Sequence, residues 1–229
     1  MNKKLIIVIG AYGSGKSEYA INLAKLFKER EEQVSLIDLD VVNPYFRSRD
    51  VRDDFTAQGI DVISPEGEYG HADLPMISPR IAGTIRTYSK PVILDVGGDP
   101  AGCRTLGRFI EDIEKRGYEM RFVVNTLRPF TSNPEETLQM IKSLQTASRL
   151  RITEIIANIN LMEETTNEMV KEGINILNEV AGISGIRFST YLVIEGKDNE
   201  IEDNISGKKK MVLQYFLQKP WEGISRHGI

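Results

Sequence analysis

Gly10-Ala11-Tyr12-Gly13-Ser14-Gly15-Lys16-Ser17 fills every fixed position of the pattern G-x-x-x-x-G-K-[ST], and the residues on either side decide how it is read. Upstream, Leu5-Ile6-Ile7-Val8-Ile9 is a short β-branched apolar run of the kind that forms a buried strand. Downstream, Glu18 to Arg30 places Tyr19, Leu23, Leu26 and Phe27 at helical spacing. Strand, glycine-rich loop and helix together predict a phosphate cradle. Glycines at 10, 13 and 15 open backbone conformations closed to residues with a Cβ, so successive N–H groups can turn inward around an anion. The helix that follows aims its unpaired amides and positive dipole end at the same place. In such a loop Lys16 is a mobile charge for the β and γ phosphates and Ser17 a hydroxyl ligand for Mg²⁺, with the backbone from Gly10 to Glu18 as the candidate nucleotide-binding stretch.

The rest of the chain predicts a sheet around that unit. Val34 to Asp38 reads as a second strand whose end carries Asp38-Leu39-Asp40, two carboxylates where open α/β sheets place their ligands. Residues 41–49, with Asn43-Pro44, Arg47 and Arg49, read as a loop: either a switch that senses the terminal phosphate or a plain connection. Lys90 to Asp95 is an apolar strand ending in a carboxylate suited to hold Mg²⁺ opposite Ser17, and Val96-Gly97-Gly98-Asp99-Pro100-Ala101-Gly102 behind it is a second candidate switch. Helices are then expected over Arg104 to Arg116, Asn133 to Arg149, Thr165 to Val180 and Ile205 to Gln218, with strands at Arg121 to Asn125, Ile152 to Asn158 and Ile186 to Ile194. This alternation predicts a three-layer α/β/α sandwich around a mostly parallel sheet of about seven strands and one domain over 1–229, in which an Asp95 strand between the first and second would bring Asp95, Asp38 and Lys16 together.

Bulk properties exclude several classes. A net charge of −4 argues against a dedicated nucleic-acid surface, and one cysteine, Cys103, excludes an internal disulfide framework and suits a reducing cytoplasm. No apolar run approaches the ~18 residues of a membrane span. The lysines at 208–210 and the apolar residues after them read as a docked core helix and not as a membrane anchor, ended by Pro220-Trp221. His71 and His227 stand far apart and read as solvated or satisfied residues.

On Gly10 to Ser17, Asp38-Leu39-Asp40 and Asp95 to Gly102, the chain resembles the SIMIBI class of phosphate-loop NTPases, in its MinD/ParA and nitrogenase iron-protein branch. That resemblance implies ATP or ADP with Mg²⁺, Asp38 and Asp95 as carboxylates of the metal site beside Ser17, and Asp40 as the residue that orients the attacking water, with Lys16 stabilising the transferred phosphoryl group. It also implies that Asn158, at a strand end, hydrogen-bonds adenine, although an asparagine there is equally a turn former. Two departures stand out. The family's lysine after the first loop glycine is Ala11 here, so a nucleotide-bridged homodimer would rest on Arg47, Arg49 or another cation; and a lone Cys103 falls short of a cluster site and reads as a small buried residue. The reading reached is an ATPase that switches an interaction with a protein partner. Its rivals are a small-molecule kinase or ligase resembling dethiobiotin synthetase, in which Arg47, Arg49 and Arg128 would hold an anionic acceptor, and a weakly hydrolysing accessory factor for a metalloenzyme.

Overall fold

A computed structural model describes residues 4–30, 33–40, 52–63 and 79–216. The loop at 41–49, with Arg47 and Arg49, lies outside the described residues, as do His71, Trp221 and His227. The strands are β1 (Leu5–Ile9), β2 (Val34–Leu39), β3 (Ile60–Ile63), β4 (Val92–Val96), β5 (Glu119–Val124), β6 (Glu154–Ala157), β7 (Arg187–Ile194), β8 (Asn204–Ile205) and β9 (Lys208–Leu213). The helices are α1 (Lys16–Arg30), α2 (Arg52–Ala57), α3 (Pro79–Arg86), α4 (Pro100–Cys103), α5 (Ile110–Arg116), α6 (Pro134–Ser148) and α7 (Asn167–Ser184).

The strands form one sheet in the order β3-β2-β4-β1-β5-β6-β7-β9-β8, parallel except for the β8–β9 pair. β4 lies between β1 and β2, as the sequence predicts. Successive β1 residues feed opposite faces. Leu5, Ile7 and Ile9 join a core under α3, α5, α6 and α7, whereas Ile6 and Val8 join a second core under α1 and α2. A strand buried on both faces needs an apolar run without alternation, which is what β1 and β4 supply. The three-layer sandwich follows.

Two expectations are corrected. The helix expected over Ile205 to Gln218 is not one as far as residue 216: β8 and β9 stand there, so the sheet has nine strands where about seven were expected. Ser206 and Gly207 both have positive φ (50° and 76°), the mark of a tight primed turn, and fold β8 back on β9. β9 then extends the sheet, pairing with β7 from Thr190↔Lys209 to Ile194↔Leu213. The helix expected over Arg104 to Arg116 is also divided: a 3-10 segment at Arg104–Phe109, burying Leu106 and Phe109 three residues apart, precedes α5.

Arg116, almost wholly buried, ties α3 to the approach to β4. Its guanidinium donates to the carbonyls of Thr84 (3.2 Å), Ile85 (2.9 Å), Thr87 (2.9 Å) and Lys90 (2.7 Å). Those acceptors close the end of α3 and set the start of the strand that carries Asp95. Arg116→Met removes the donor that these carbonyls share and is expected to lower stability by roughly 2–4 kcal/mol, read as a drop in the urea midpoint at unchanged slope.

Candidate functional site

The carboxyl ends of β1, β2 and β4 meet at one place because register puts them there. Asp38 and Asp95 are direct partners across β2 and β4, and Val8, two residues before the loop, is the partner of Asp95 on the other side. β1 then turns through the glycine-rich loop into α1. Within the loop the Ser14 N–H donates to Ala11 C=O (3.0 Å), and the first helical bond runs from Tyr19 N–H to Gly15 C=O (3.0 Å). The amides of Lys16, Ser17 and Glu18 precede that ladder and face the loop's mouth.

Lys16, Ser17, Asp38, Asp40 and Asp95 are all buried, and the structure brings them together. Lys16 Nζ lies 2.9 Å from Asp40 Oδ2, and the Asp40 N–H donates to Asp38 Oδ1 (3.0 Å). Burial by itself lowers the pKa of Lys16, but the charges of Asp95, Asp40 and Asp38 overcome it and the net shift is upward. Burial pushes Asp95 up to about 7, with Asp38 and Asp40 adding to the rise and Lys16 and the nearby Ser17 hydroxyl opposing it. Both Asp95 carboxyl oxygens and the Ser17 and Ser14 hydroxyls are buried without a well-formed hydrogen bond among the described residues. Buried oxygens without a well-formed hydrogen bond, gathered around one lysine at the start of α1, fit an Mg²⁺–phosphate group. Among the described residues no three His, Cys, Asp or Glu side chains form a metal cage. Mg²⁺ needs none, since it keeps waters and takes one or two carboxylates along with phosphate oxygens.

The second candidate switch lies against the loop. A Cβ on Gly98 would fall 2.1 Å from the Gly10 carbonyl oxygen, so only glycine permits this approach. Just beyond, Asp99 caps α4 by accepting from Gly102 N–H (2.6 Å). Cys103 is buried behind that cap, and burial and Asp99 push its thiol up to about 12.

From the loop a cleft of about 390 Å³ extends along the ends of β5, β6, β7 and β9. Asn158 stands at its inner wall. Its Nδ2 donates to Ser14 C=O (2.6 Å), a bond that fixes which end of the amide is nitrogen, and its Oδ1 is buried without a partner among the described residues. Asn125 Nδ2 donates to Asn160 C=O (2.9 Å) and joins the two strand ends. The far wall is Ile194, Leu213, Gln214 and Tyr215, beyond the reach of the sequence reading because it depends on β9 being a strand. The Glu18 side chain supports that wall: both its oxygens accept from Phe216 N–H (3.1 Å each), and Asn22 exchanges two bonds with the Gln214 backbone (2.8 and 2.9 Å). What Glu18 offers the phosphate end is therefore its backbone amide. Ala11, Tyr12 and Gly13 complete the loop, Tyr12 being largely exposed at its rim. Among the described residues no helix is long and apolar enough to cross a membrane.

Residues 5–190 match the family model described as the CobQ/CobB/MinD/ParA nucleotide binding domain. Among curated proteins, none matches the sequence at a significant level. Solved structures with a similar fold include the cell division protein FtsY of Thermotoga maritima (TM-score 0.56, 22% identity, 83% of this chain and 62% of that one). Chloroplast FtsY of Physcomitrella patens is similar at TM-score 0.60 and 16% identity, over 94% of this chain and 62% of that one. The signal recognition particle 54 kDa protein of Aeropyrum pernix, solved in complex with GDP, is similar at 0.52 and 18%, over 82% and 41%. The chain thus spans about three fifths of the FtsY chains it matches, and at these identities the likeness is one of fold.

Because the folded-state pKa of Asp95 is raised above the unfolded value, its contribution to stability is fully present below about pH 4 and is lost as pH rises through about 7. Asp95→Asn is therefore expected to stabilise the metal- and nucleotide-free protein at pH 8 by roughly 2–4 kcal/mol and to change little near pH 4. Thermal melts across that range, in EDTA, read the difference.

Proposed function

Because the chain belongs to the CobQ/CobB/MinD/ParA family of nucleotide-binding domains, we propose that it is an Mg²⁺-dependent ATPase whose cycle switches an interaction with a protein partner. The observation that carries this reading is the cleft itself, which begins at Lys16 and Ser17 and runs to a recess whose lining carboxylate, Glu18, is already committed to Phe216. A guanine site wants an acceptor pair for the base's N1–H and amino group, which a carboxylate supplies. Where the guanine-reading N-K-x-D pattern would carry its aspartate, this chain has Asn158-Ile159-Asn160-Leu161. Asn158, which lines the cleft at the end of β6, is the side chain that would hydrogen-bond adenine in this reading. The GDP in the signal recognition particle relative is a property of that protein, whose likeness to this chain is one of fold.

In the proposed mechanism each residue has one task. Lys16 and the amides of residues 13–18 hold the β and γ phosphates and stabilise the charge that develops on the transferred group. Mg²⁺, when bound at Ser17 with Asp38 and Asp95, would neutralise charge between the phosphates. Asp40, released from Lys16, orients the attacking water. Gly98, in contact with Gly10, places the segment after β4 where loss of the terminal phosphate moves it, and that movement is what a partner would read. One domain over 1–229 suffices for this cycle.

Isothermal titration and phosphate-release assays on the full chain test the proposal. ATP with Mg²⁺ is expected to bind at least about tenfold more tightly than GTP, since a donor facing a missing acceptor costs over ~1 kcal/mol. Lys16→Ala is expected to lose binding, whereas Asp40→Ala retains it and slows turnover by roughly 100-fold or more. Binding of ATP unaffected by Lys16→Ala would remove the basis of the proposal, and equal affinity for GTP would remove its base assignment.

A further inference from the structure

Among the described residues two cations line the cleft, and they are in opposite states. Lys16 is buried and paired with Asp40, while Arg128 is exposed at the lip and its guanidinium makes no hydrogen bond or ion pair among the described residues. Arg128 is nevertheless held in place by its loop. The Asn125 carbonyl accepts from Arg128 N–H (3.1 Å) and from the Thr131 hydroxyl (2.8 Å), and Asn125 Oδ1 accepts from Leu127 N–H (3.0 Å). Phe130, next but one, takes a positive φ of 67°. A non-glycine residue in that region costs energy that the surrounding hydrogen bonds have to offset, and such strain gathers where a loop must present a group at one place.

That place is the outer shoulder of the phosphate loop. A Cβ on Gly13 would lie 3.4 Å from Arg128 Nε, 3.7 Å from Cδ and 3.8 Å from Cζ, so the side chain lies along the loop backbone over a residue whose own φ is +74°. Charge explains why a second cation is wanted. Asp38, Asp40 and Asp95 gather around Lys16, and a nucleoside triphosphate brings about four more negative charges that one Mg²⁺ only half neutralises. Lys16 is already shared with Asp40. Arg128 is the cleft-lining cation with nothing to release.

We propose that Arg128 is a phosphate-contacting residue supplied in cis, its guanidinium closing over the polyphosphate across Gly13, so that a single subunit completes the charge compensation for hydrolysis. The inference rests on the nucleotide-binding reading above. In the step it assists, the water oxygen bonds to the γ phosphorus as the bond from that phosphorus to the bridging oxygen breaks. The diphosphate leaves with the electron pair, and the water proton passes to the released phosphate. Arg128 donates hydrogen bonds to the oxygens on which charge accumulates, and its planar fork makes two such bonds where an ammonium makes one.

The test uses the full chain, titrated with fluorescent ATP and ADP analogues in Mg²⁺ and assayed for phosphate release over about a hundredfold range of protein concentration. Arg128→Ala is expected to weaken ATP binding roughly tenfold and to slow turnover roughly 100-fold, with an unchanged melting temperature. Arg128→Lys should recover affinity more than turnover. In the wild type, turnover per subunit should be independent of protein concentration. The inference is overturned if Arg128→Ala binds and hydrolyses ATP like the wild type while Lys16→Ala loses binding, or if turnover per subunit climbs with concentration, which would place the second cation on another copy. If Lys16→Ala also binds ATP normally, the nucleotide reading itself has failed.

Discussion

Burial works against the charge of Lys16, and the three carboxylates that converge on it outweigh that burial. The ion pair of Lys16 with Asp40 is almost wholly buried on both sides, and a buried pair gains little net stability once desolvation is counted. Its consequence is of another kind. The pair holds Lys16 and Asp40 against each other at the mouth of the loop, 2.9 Å apart. In the proposed cycle a phosphate entering the loop competes with Asp40 for the lysine, and the carboxylate that yields is the one placed to orient water. Ligand entry and release of the water-orienting carboxylate are then a single exchange, driven by the larger charge of the incoming group.

That exchange depends on backbone register more than on any side chain. Asp38 and Asp95 are level because β2 and β4 are parallel neighbours in that register, and a slip of one residue would turn Asp95 to the opposite face of the sheet. Register is pinned in turn by burial on both faces, since alternate residues of β1 and β4 feed two separate cores. The apolar strands therefore do more than stabilise: they set the spacing of the charges at their ends. The close packing of Gly98 on Gly10 extends the same logic outward, because a switch in contact with loop backbone responds to small movements there.

The part of this arrangement legible in the sequence is the part written in short-range patterns. The strand, loop and helix around Gly10 to Ser17 and the carboxylates at two strand ends follow from local runs, and the placement of β4 between β1 and β2 from the need to bring Asp95 beside Asp38 and Lys16. The far end of the cleft did not show. Lys208 to Leu217 is apolar after its lysines and fits a helix or a strand, and the deciding signal was the Ser206-Gly207 pair, whose turn makes β8 and β9 a hairpin. With that strand misread, Leu213, Gln214 and Tyr215 could not be seen as a wall. Arg104 to Arg116 failed for a related reason, since a 3-10 segment buries residues three apart and so mimics the helical period over a short window.

The helix that leaves the phosphate loop also holds the opposite wall of the cleft. Glu18 and Asn22, within the first two turns of α1, fix the backbone of Gln214 and Phe216, and Lys25 lies over the Phe216 ring, 4.3 Å from its centre. Lys16 and Ser17 begin that same helix. A rigid element thus spans from the residues that would take phosphate to the residues that would enclose the base, and a displacement of its first turn is carried to Gln214 and Tyr215 without an intervening joint. In a protein whose proposed output is a change of shape, such a link makes occupancy of the phosphate end and closure of the base end two readings of one helix position. It also explains why a carboxylate sits next to the cradle and yet faces away from it: Glu18 would repel phosphate if its side chain turned inward, and by accepting the Phe216 N–H it both removes that charge from the mouth and anchors the wall.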